Sequence, residues 1–255
     1  MAGTTISFNS FSLQDTNYKT SEINHVSPPE RVVDRLKLAR AHGEAIVSDW
    51  YDTRKIIVSG SVLGSTASDL QSKLDAMLKA LGEPEANLDI EYGAATRRYV
   101  ATLERADIPK KSYNSKFVEF KLTFECSDPF GYATSASTLS EAAITTSPNT
   151  WSETISGSAP PLPVITITLN SATDVTIIRF KNSTTDDEII VGATYITGDE
   201  LEIDTANKTV KLNGTEIDYI GVFPSFDVGS NSLRLEVTAT AFNADVDIVY
   251  TPTYL

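Results

Sequence analysis

His25 and His42 are the only imidazoles available for general-base work in this 255-residue chain, and both fall near its N-terminus. A nucleophilic site needs a serine or cysteine beside a base that a third group orients. Neither histidine has such residues patterned about it, and His42 precedes Gly43 in a stretch that reads as a loop. Cys126 is the single cysteine, so the chain can form neither an internal disulfide framework nor a thiolate cluster for zinc. Asp186-Asp187-Glu188 and Asp245-Val246-Asp247 carry the oxygen ligands that calcium takes. Both lack the Asp-x-Asp-x-Asp-Gly spacing that wraps a loop round the ion, so a solvated turn and a polar strand face are the expected roles. Gly60 to Gly64 precedes a helix but lacks the lysine of a phosphate-binding loop. Two carboxylates for glycoside hydrolysis could be drawn from the 34 acidic residues almost anywhere, which carries no information. No catalytic, cofactor-binding or metal-binding residue is assigned, no cofactor is expected, and the chain reads as a protein that is not an enzyme.

Binding by stacking is the other chemistry to weigh. Sugar rings stack on exposed aromatics, yet Trp50 and Trp151 both precede the main series of strands. Tyr195, Tyr219, Tyr250 and Tyr254 remain, and are read first as core or sheet-face residues. The formal charge of -13 argues against a groove that holds nucleic acid by neutralising phosphates. An acidic wall would let DNA slide past, although an acidic excess also simply keeps a protein soluble. The start Met1-Ala2-Gly3-Thr4-Thr5-Ile6 lacks a secretory pattern and no run is long enough to span a bilayer, so synthesis in the cytosol without membrane insertion is expected.

The elements that must position any site are mostly strands. One helix is well signalled: Ser65-Thr66 can cap it, Leu70, Leu74, Met77, Leu78 and Leu81 form its apolar stripe, and Gly82 followed by Pro84 should end it with a left-handed stop. A shorter helix is expected over Pro29 to Arg40, with Val32, Val33, Leu36 and Leu38. Strand patterns cover Lys55 to Val62, Ala86 to Tyr92 and Arg98 to Glu104. In Val118 to Cys126 apolar and polar residues alternate without error, so Cys126 points inward and Lys121, Thr123 and Glu125 point the other way.

From Ala133 to Ser158 alanine, serine and threonine dominate, and Pro160-Pro161-Leu162-Pro163 follows. The expected division is a first domain over 1–135, a connection over 136–163 that can also hold the first strand of the next domain around Trp151 to Ile155, and a second domain over 164–255. That second domain reads as about eight short strands with an Asn213-Gly214 hairpin turn, the spacing of a two-sheet sandwich or jelly roll. It is also the acidic half: residues 158–255 hold 14 acidic and 5 basic residues, a net of -9.

Several local patterns then coincide in order: Lys55-Ile56-Ile57-Val58-Ser59-Gly60-Ser61-Val62, the Leu70 to Leu81 helix, Ala94-Ala95-Thr96-Arg97-Arg98-Tyr99, and Phe124-Glu125-Cys126-Ser127-Asp128-Pro129-Phe130-Gly131-Tyr132. Gly198 to Asp204, Val210 to Gly214, Gly221-Val222-Phe223-Pro224-Ser225-Phe226 and Gly229-Ser230-Asn231 follow in the second half. Over nearly the whole chain this resembles the Dit (distal tail) family of long-tailed bacteriophages. The resemblance implies a mainly β fold, with an N-terminal ring-forming β-sandwich carrying one packed helix and a C-terminal galectin-like β-sandwich. It implies a homo-hexameric ring at the distal end of the virion tail, with a central channel through which DNA passes without specific binding. The tail-tube protein would lie above, a tail-tip or baseplate hub protein below, and receptor-binding proteins are further candidate partners. On strand alternation, Lys121, Thr123 and Glu125, or the strand edge nearby, are expected to approach another subunit or the channel. The long Ala/Ser/Thr-rich segment after Tyr132 departs from the family pattern and leaves the path between the domains open. Two other readings stand beside this one: a carbohydrate-binding adhesin or baseplate accessory module, and a tail-tube subunit.

Overall fold

The computed structural model describes residues 4–37, 42–93, 95–109 and 116–255. The chain divides into two compact units, residues 1–132 with Leu255, and residues 133–254. Both are built on antiparallel sheets, so the fold is mainly β.

The first unit contains β1 (Thr5–Phe8), β2 (Phe11–Ser12), β3 (Tyr18–Ile23), β4 (Arg31–Lys37), β5 (Glu44–Tyr51), β6 (Arg54–Leu63), α1 (Ala67–Leu81), β7 (Ala86–Tyr92), β8 (Ala95–Asp107), β9 (Phe117–Cys126) and β10 (Gly131–Tyr132). Its strands run in the order β2-β1-β7-β8-β9-β6-β3. The long β8 serves two partners: Ala95 to Ala101 pairs with β7 and Thr102 to Asp107 with β9, with a bulge between Leu103 and Arg105. A bulge bends a strand and sharpens its twist, so one chain segment turns the corner of the core. Phe8 of β1 and Phe124 of β9 meet inside with ring centroids 5.0 Å apart.

Helix α1 closes this core with Leu70, Leu74, Met77 and Leu81. Thr66 caps it, its hydroxyl accepting the Asp69 N–H at 3.1 Å. Two expectations change here. Leu78 is exposed and lies outside the stripe, and Gly82 keeps a right-handed φ of -77°, so Pro84 ends the helix without a left-handed residue. The expected helix over Pro29 to Arg40 is not formed. Arg31–Lys37 is instead strand β4, paired with β5; Leu38, Ala39 and Arg40 lie outside the described residues. Val32 and Val33 are β-branched and lose χ1 freedom in a helix, and the Ile46-Val47 and Trp50-Tyr51 stretches of β5 offer a partner that an isolated helix would not have.

In the second unit the Ala/Ser/Thr-rich stretch holds β11 (Ser137–Ile144) and β12 (Asn149–Ile155). They are followed by β13 (Val164–Thr173), β14 (Val175–Asn182), β15 (Asp187–Tyr195), β16 (Glu200–Asp204), β17 (Thr209–Leu212), β18 (Thr215–Glu216), β19 (Ile220–Gly221), β20 (Gly229–Thr238) and β21 (Ala241–Tyr250). These make two sheets, β11-β21-β13-β16-β17-β18 and β12-β20-β14-β15-β19. Alternate residues of each face a shared core that includes Ile165, Ile167, Phe180, Ile189, Leu235 and Val246. Asn213 and Gly214 have φ of 51° and 79°, the double left-handed geometry of the hairpin turn that joins β17 to β18. Residues 215–221 are split between the two sheets: β18 borders one and β19 the other.

Candidate functional site

The residues with chemical potential are engaged in structure. His25 is buried, and burial, then Arg54 and Arg97, lower its pKa, so it is held neutral. His42 is exposed in the segment that joins β4 to β5. Burial pushes the Cys126 thiol up to about 12, which keeps it protonated and unreactive. Asp186 pairs with Lys181, Asp187 accepts from the Ser225 N–H at 3.1 Å, and Glu188 lies 3.5 Å from Arg179. Asp245 accepts the Ala143 N–H at 2.7 Å, and Asp247 accepts from the Ser140 hydroxyl. No group of three or more His, Cys, Asp or Glu side chains that could hold a metal ion occurs among the described residues. Of the tyrosines, Tyr195 and Tyr250 are core residues, and Tyr219 is partly exposed with its ring 5.0 Å from that of Phe223.

Lys121, Thr123 and Glu125 all project from the face of β9 opposite the core. Both edges of β9 are hydrogen-bonded, to β6 and to β8, so the strand offers a face and not an edge. Register sets Glu125 between Lys55 and Thr102, Thr123 between Ile57 and Arg105, and Lys121 between Ser59 and Asp107. With the Lys55–Glu104 pair at 2.8 Å, this is a face of mixed sign and small polar side chains.

The feature that sequence reading missed is the β4–β5 hairpin. Among the described residues it pairs with no other strand. Its register puts Val32 opposite Trp50 and Leu36 opposite Ala45 on one face, with the Ser48 hydroxyl donating to Asp34 between them at 3.2 Å. The other face carries a charged ladder of Arg31 with Asp49 and Arg35 with Glu44. On the apolar face Leu36 is 60% exposed and Trp50 49%; Ile46, opposite Arg35 on the charged face, and Val47, at the register shift, are exposed as well. A two-stranded hairpin with an uncovered apolar face is marginal in water by itself. The signal for it was the β-branched and aromatic content of residues 44–51, which invites strand pairing.

The base of the hairpin is fastened firmly. Asp52 N–H donates to the Glu30 carbonyl at 2.8 Å. Arg54, buried at the start of β6, donates to the carbonyls of Ser27 at 2.8 Å and His25, and to Pro129 at 3.2 Å. Tyr51 packs edge-on against Phe130 at 5.9 Å. The Asp128 to Tyr132 motif is thereby explained: Asp128 accepts the Phe130 N–H at 3.0 Å and the Tyr132 hydroxyl at 2.5 Å, and a Cβ on Gly131 would lie 2.9 Å from the Tyr99 ring. Arg98 completes the neighbourhood with a bidentate pair to Asp89 at 2.7 and 2.8 Å.

Residues 156–254 match the family model described as siphovirus-type tail component, C-terminal domain. Among solved structures, the chain is similar to SPP1 Dit (gp 19.1), described as a paradigm of the hub adsorption apparatus in phages infecting Gram-positive bacteria. The TM-score is 0.72 with 18% identity, over 99% of this chain and 100% of that one. A chain of the phage P2 baseplate, in its activated conformation with calcium, aligns over 96% of this chain and 97% of its own, at 9% identity and a TM-score of 0.44. No curated protein sequence matches.

Proposed function

We propose that this chain is a distal tail (Dit) protein, a structural component of the distal tail and baseplate hub, and that six copies close into a ring through the β4–β5 hairpin; the match of residues 156–254 to the siphovirus-type tail component and the likeness of the fold to SPP1 Dit support this reading. The hairpin carries the reading: it exposes Leu36 and Trp50 on one face, has a base held by Arg54, and pairs with no further strand among the described residues. A copy related by rotation supplies that partner, and cyclic repetition covers every hairpin at once. The ring surrounds a channel for DNA, with the tail tube on one side and the tail-tip or baseplate hub on the other. Lys121, Thr123 and Glu125 face the channel or a neighbouring copy; their mixed-sign surroundings suit a wall that does not grip phosphate. The second unit is available to receptor-binding proteins, the role throughout is structural and not enzymatic, and assembly follows synthesis in the host cytoplasm.

The test is the solution mass of the purified protein with negative-stain images of the same peak. Six chains of 27.7 kDa, about 166 kDa, in a ring with an open centre are expected. Long tubes would assign the chain to the tail tube, and a monomer that stays monomeric when mixed with its tail neighbours would end the ring reading.

A further inference from the structure

The second unit leaves four sheet edges, and three are protected against pairing with another chain. Strand β11 is interrupted by a bulge between Glu141 and Ile144, where Ala143 adopts a left-handed φ of 55°. Strand β12 turns Glu153 to the same side as the buried Ile155, and burial followed by the charge of Glu141 raises the Glu153 pKa. Strand β18 is two residues long and ends in the exposed Glu216. Bulges, inward-pointing charges and short charged edges are the devices by which sheets avoid edge-to-edge association.

Strand β19 is as short as β18, but it carries neither a bulge nor a charged side chain. Ile220 is 73% exposed and Val222 61%, with Tyr219 beside them. Ile220 lies directly opposite Ile190; beyond Ile190 on the same face stands Arg179, engaged by Glu188 and Glu236, and the partly exposed Ile177 lies diagonally, opposite Gly192. An added Cβ at Gly192 would meet nothing within 4 Å, so the apolar strip contains an open notch. The backbone is held to present this strip. The Val222 N–H donates to the Glu188 carbonyl at 2.7 Å, and Gly221 has a φ of 110° at which a Cβ would come within 2.2 Å of that same oxygen. Antiparallel geometry then turns the N–H and C=O of Gly221 away from β15, toward whatever lies along the edge.

We propose that β19 is a docking edge that takes an extended segment of a partner protein as an added strand, with apolar side chains at alternate positions and lysine or arginine at its flanks. Charge selects this occupant. Residues 215–228 contain Glu216, Asp218 and Asp227 and no lysine or arginine. Lys208, close in space, is drawn over the Phe223 ring, 5.1 Å from its centroid. A second copy of the same edge would bring like carboxylates together, whereas a basic-flanked strand meets opposite charge. The inference rests on the second unit alone and does not require the ring.

The experiment selects a random peptide library displayed on a carrier against the full-length protein, then measures the enriched peptides by fluorescence anisotropy. Enrichment of alternating apolar residues with basic flanks is expected, with affinity falling as salt rises. Ile220→Lys should weaken binding by about tenfold or more, the scale of a central interface truncation. Val222→Thr, which keeps the shape and removes apolar character, should weaken it less. Both positions are exposed, so the thermal unfolding of either variant should match the parent. No enriched pattern, a pattern indifferent to Ile220→Lys, acidic flanks, or self-association of the protein through this edge would each overturn the proposal. A failure here leaves the ring mass unchanged, and loss of the ring leaves this binding unchanged.

Discussion

The guanidinium carbon of Arg54 lies 5.0 Å from the centroid of the Tyr99 ring, so the buried charge of β6 rests on the π face of β8. Its N–H groups reach backbone carbonyls on two segments distant in sequence, residues 25–27 before the hairpin and Pro129 after β9. One side chain therefore fixes both the root of β4 and the motif that ends the first unit.

Arg54→Ala is expected to leave several buried carbonyls without donors and to destabilise the first unit by about 3 kcal/mol or more. Arg54→Lys should recover little, since an ammonium cannot span both segments or lie flat on the ring. Urea unfolding followed by first-unit probes measures both, and the second unit should unfold at an unchanged midpoint. An Arg54→Lys protein as stable as the parent would refute the role.

Trp50→Ala combined with Leu36→Ser should convert the assembled ring to smaller species at the same protein concentration. Both residues are exposed in the isolated chain, so monomer stability should change by no more than about 0.5 kcal/mol. Sedimentation and thermal unfolding of one sample read the two effects separately. An intact ring from the double variant would remove the hairpin from the assembly.

Asp69 accepts from Lys73 at 2.9 Å and from the N–H and hydroxyl of Ser65 at 2.7 and 2.9 Å. Lys73 first, then Ser65, hold its carboxyl down from the ordinary 3.8 to about 2. A depressed carboxylate stabilises the fold fully above its unfolded pKa and loses that contribution as pH falls through the folded value. The α1 cap should therefore weaken between about pH 4 and pH 2. Carboxyl NMR titration should place the midpoint near the lower end, and Asp69→Asn should remove this part of the acid dependence. A midpoint near the ordinary value would contradict the network.

Asn182 and Asn231 are fully buried in the second unit, and the Asn182 amide donates to Asn231 at 3.0 Å and to the Ser225 carbonyl at 2.7 Å. Asn231 in turn donates to the carbonyls of Asp227 at 2.7 Å and Gly229 at 3.1 Å. Asn231→Leu should cost about 2–4 kcal/mol through unpaired buried polar groups. Hydrogen exchange at residues 222–230 should quicken while the first unit keeps its protection.

Much of this architecture is legible in local sequence because the physics there is local. Thr66 and Pro84 bound α1 by capping and by a missing N–H, the strict alternation from Val118 to Cys126 assigns each β9 side chain to a face, and Asn213-Gly214 selects its turn by tolerating positive φ. Motif order also carried the family resemblance, since the Asp128 to Tyr132 turn needs its own aspartate, glycine and tyrosine. Other features were decided only in three dimensions. The apolar spacing of Val32, Val33 and Leu36 suits a helix or a strand, and the presence of β5 settled it. The passage of β8 from one partner to another, the exposure of Leu78 and the split of residues 215–221 between two sheets depend on which surfaces remain to be covered. Arg54 looks in sequence like any strand-end cation; its role exists because folding brings two distant runs of carbonyls and an aromatic face around it, where an unpaired charge could not be buried.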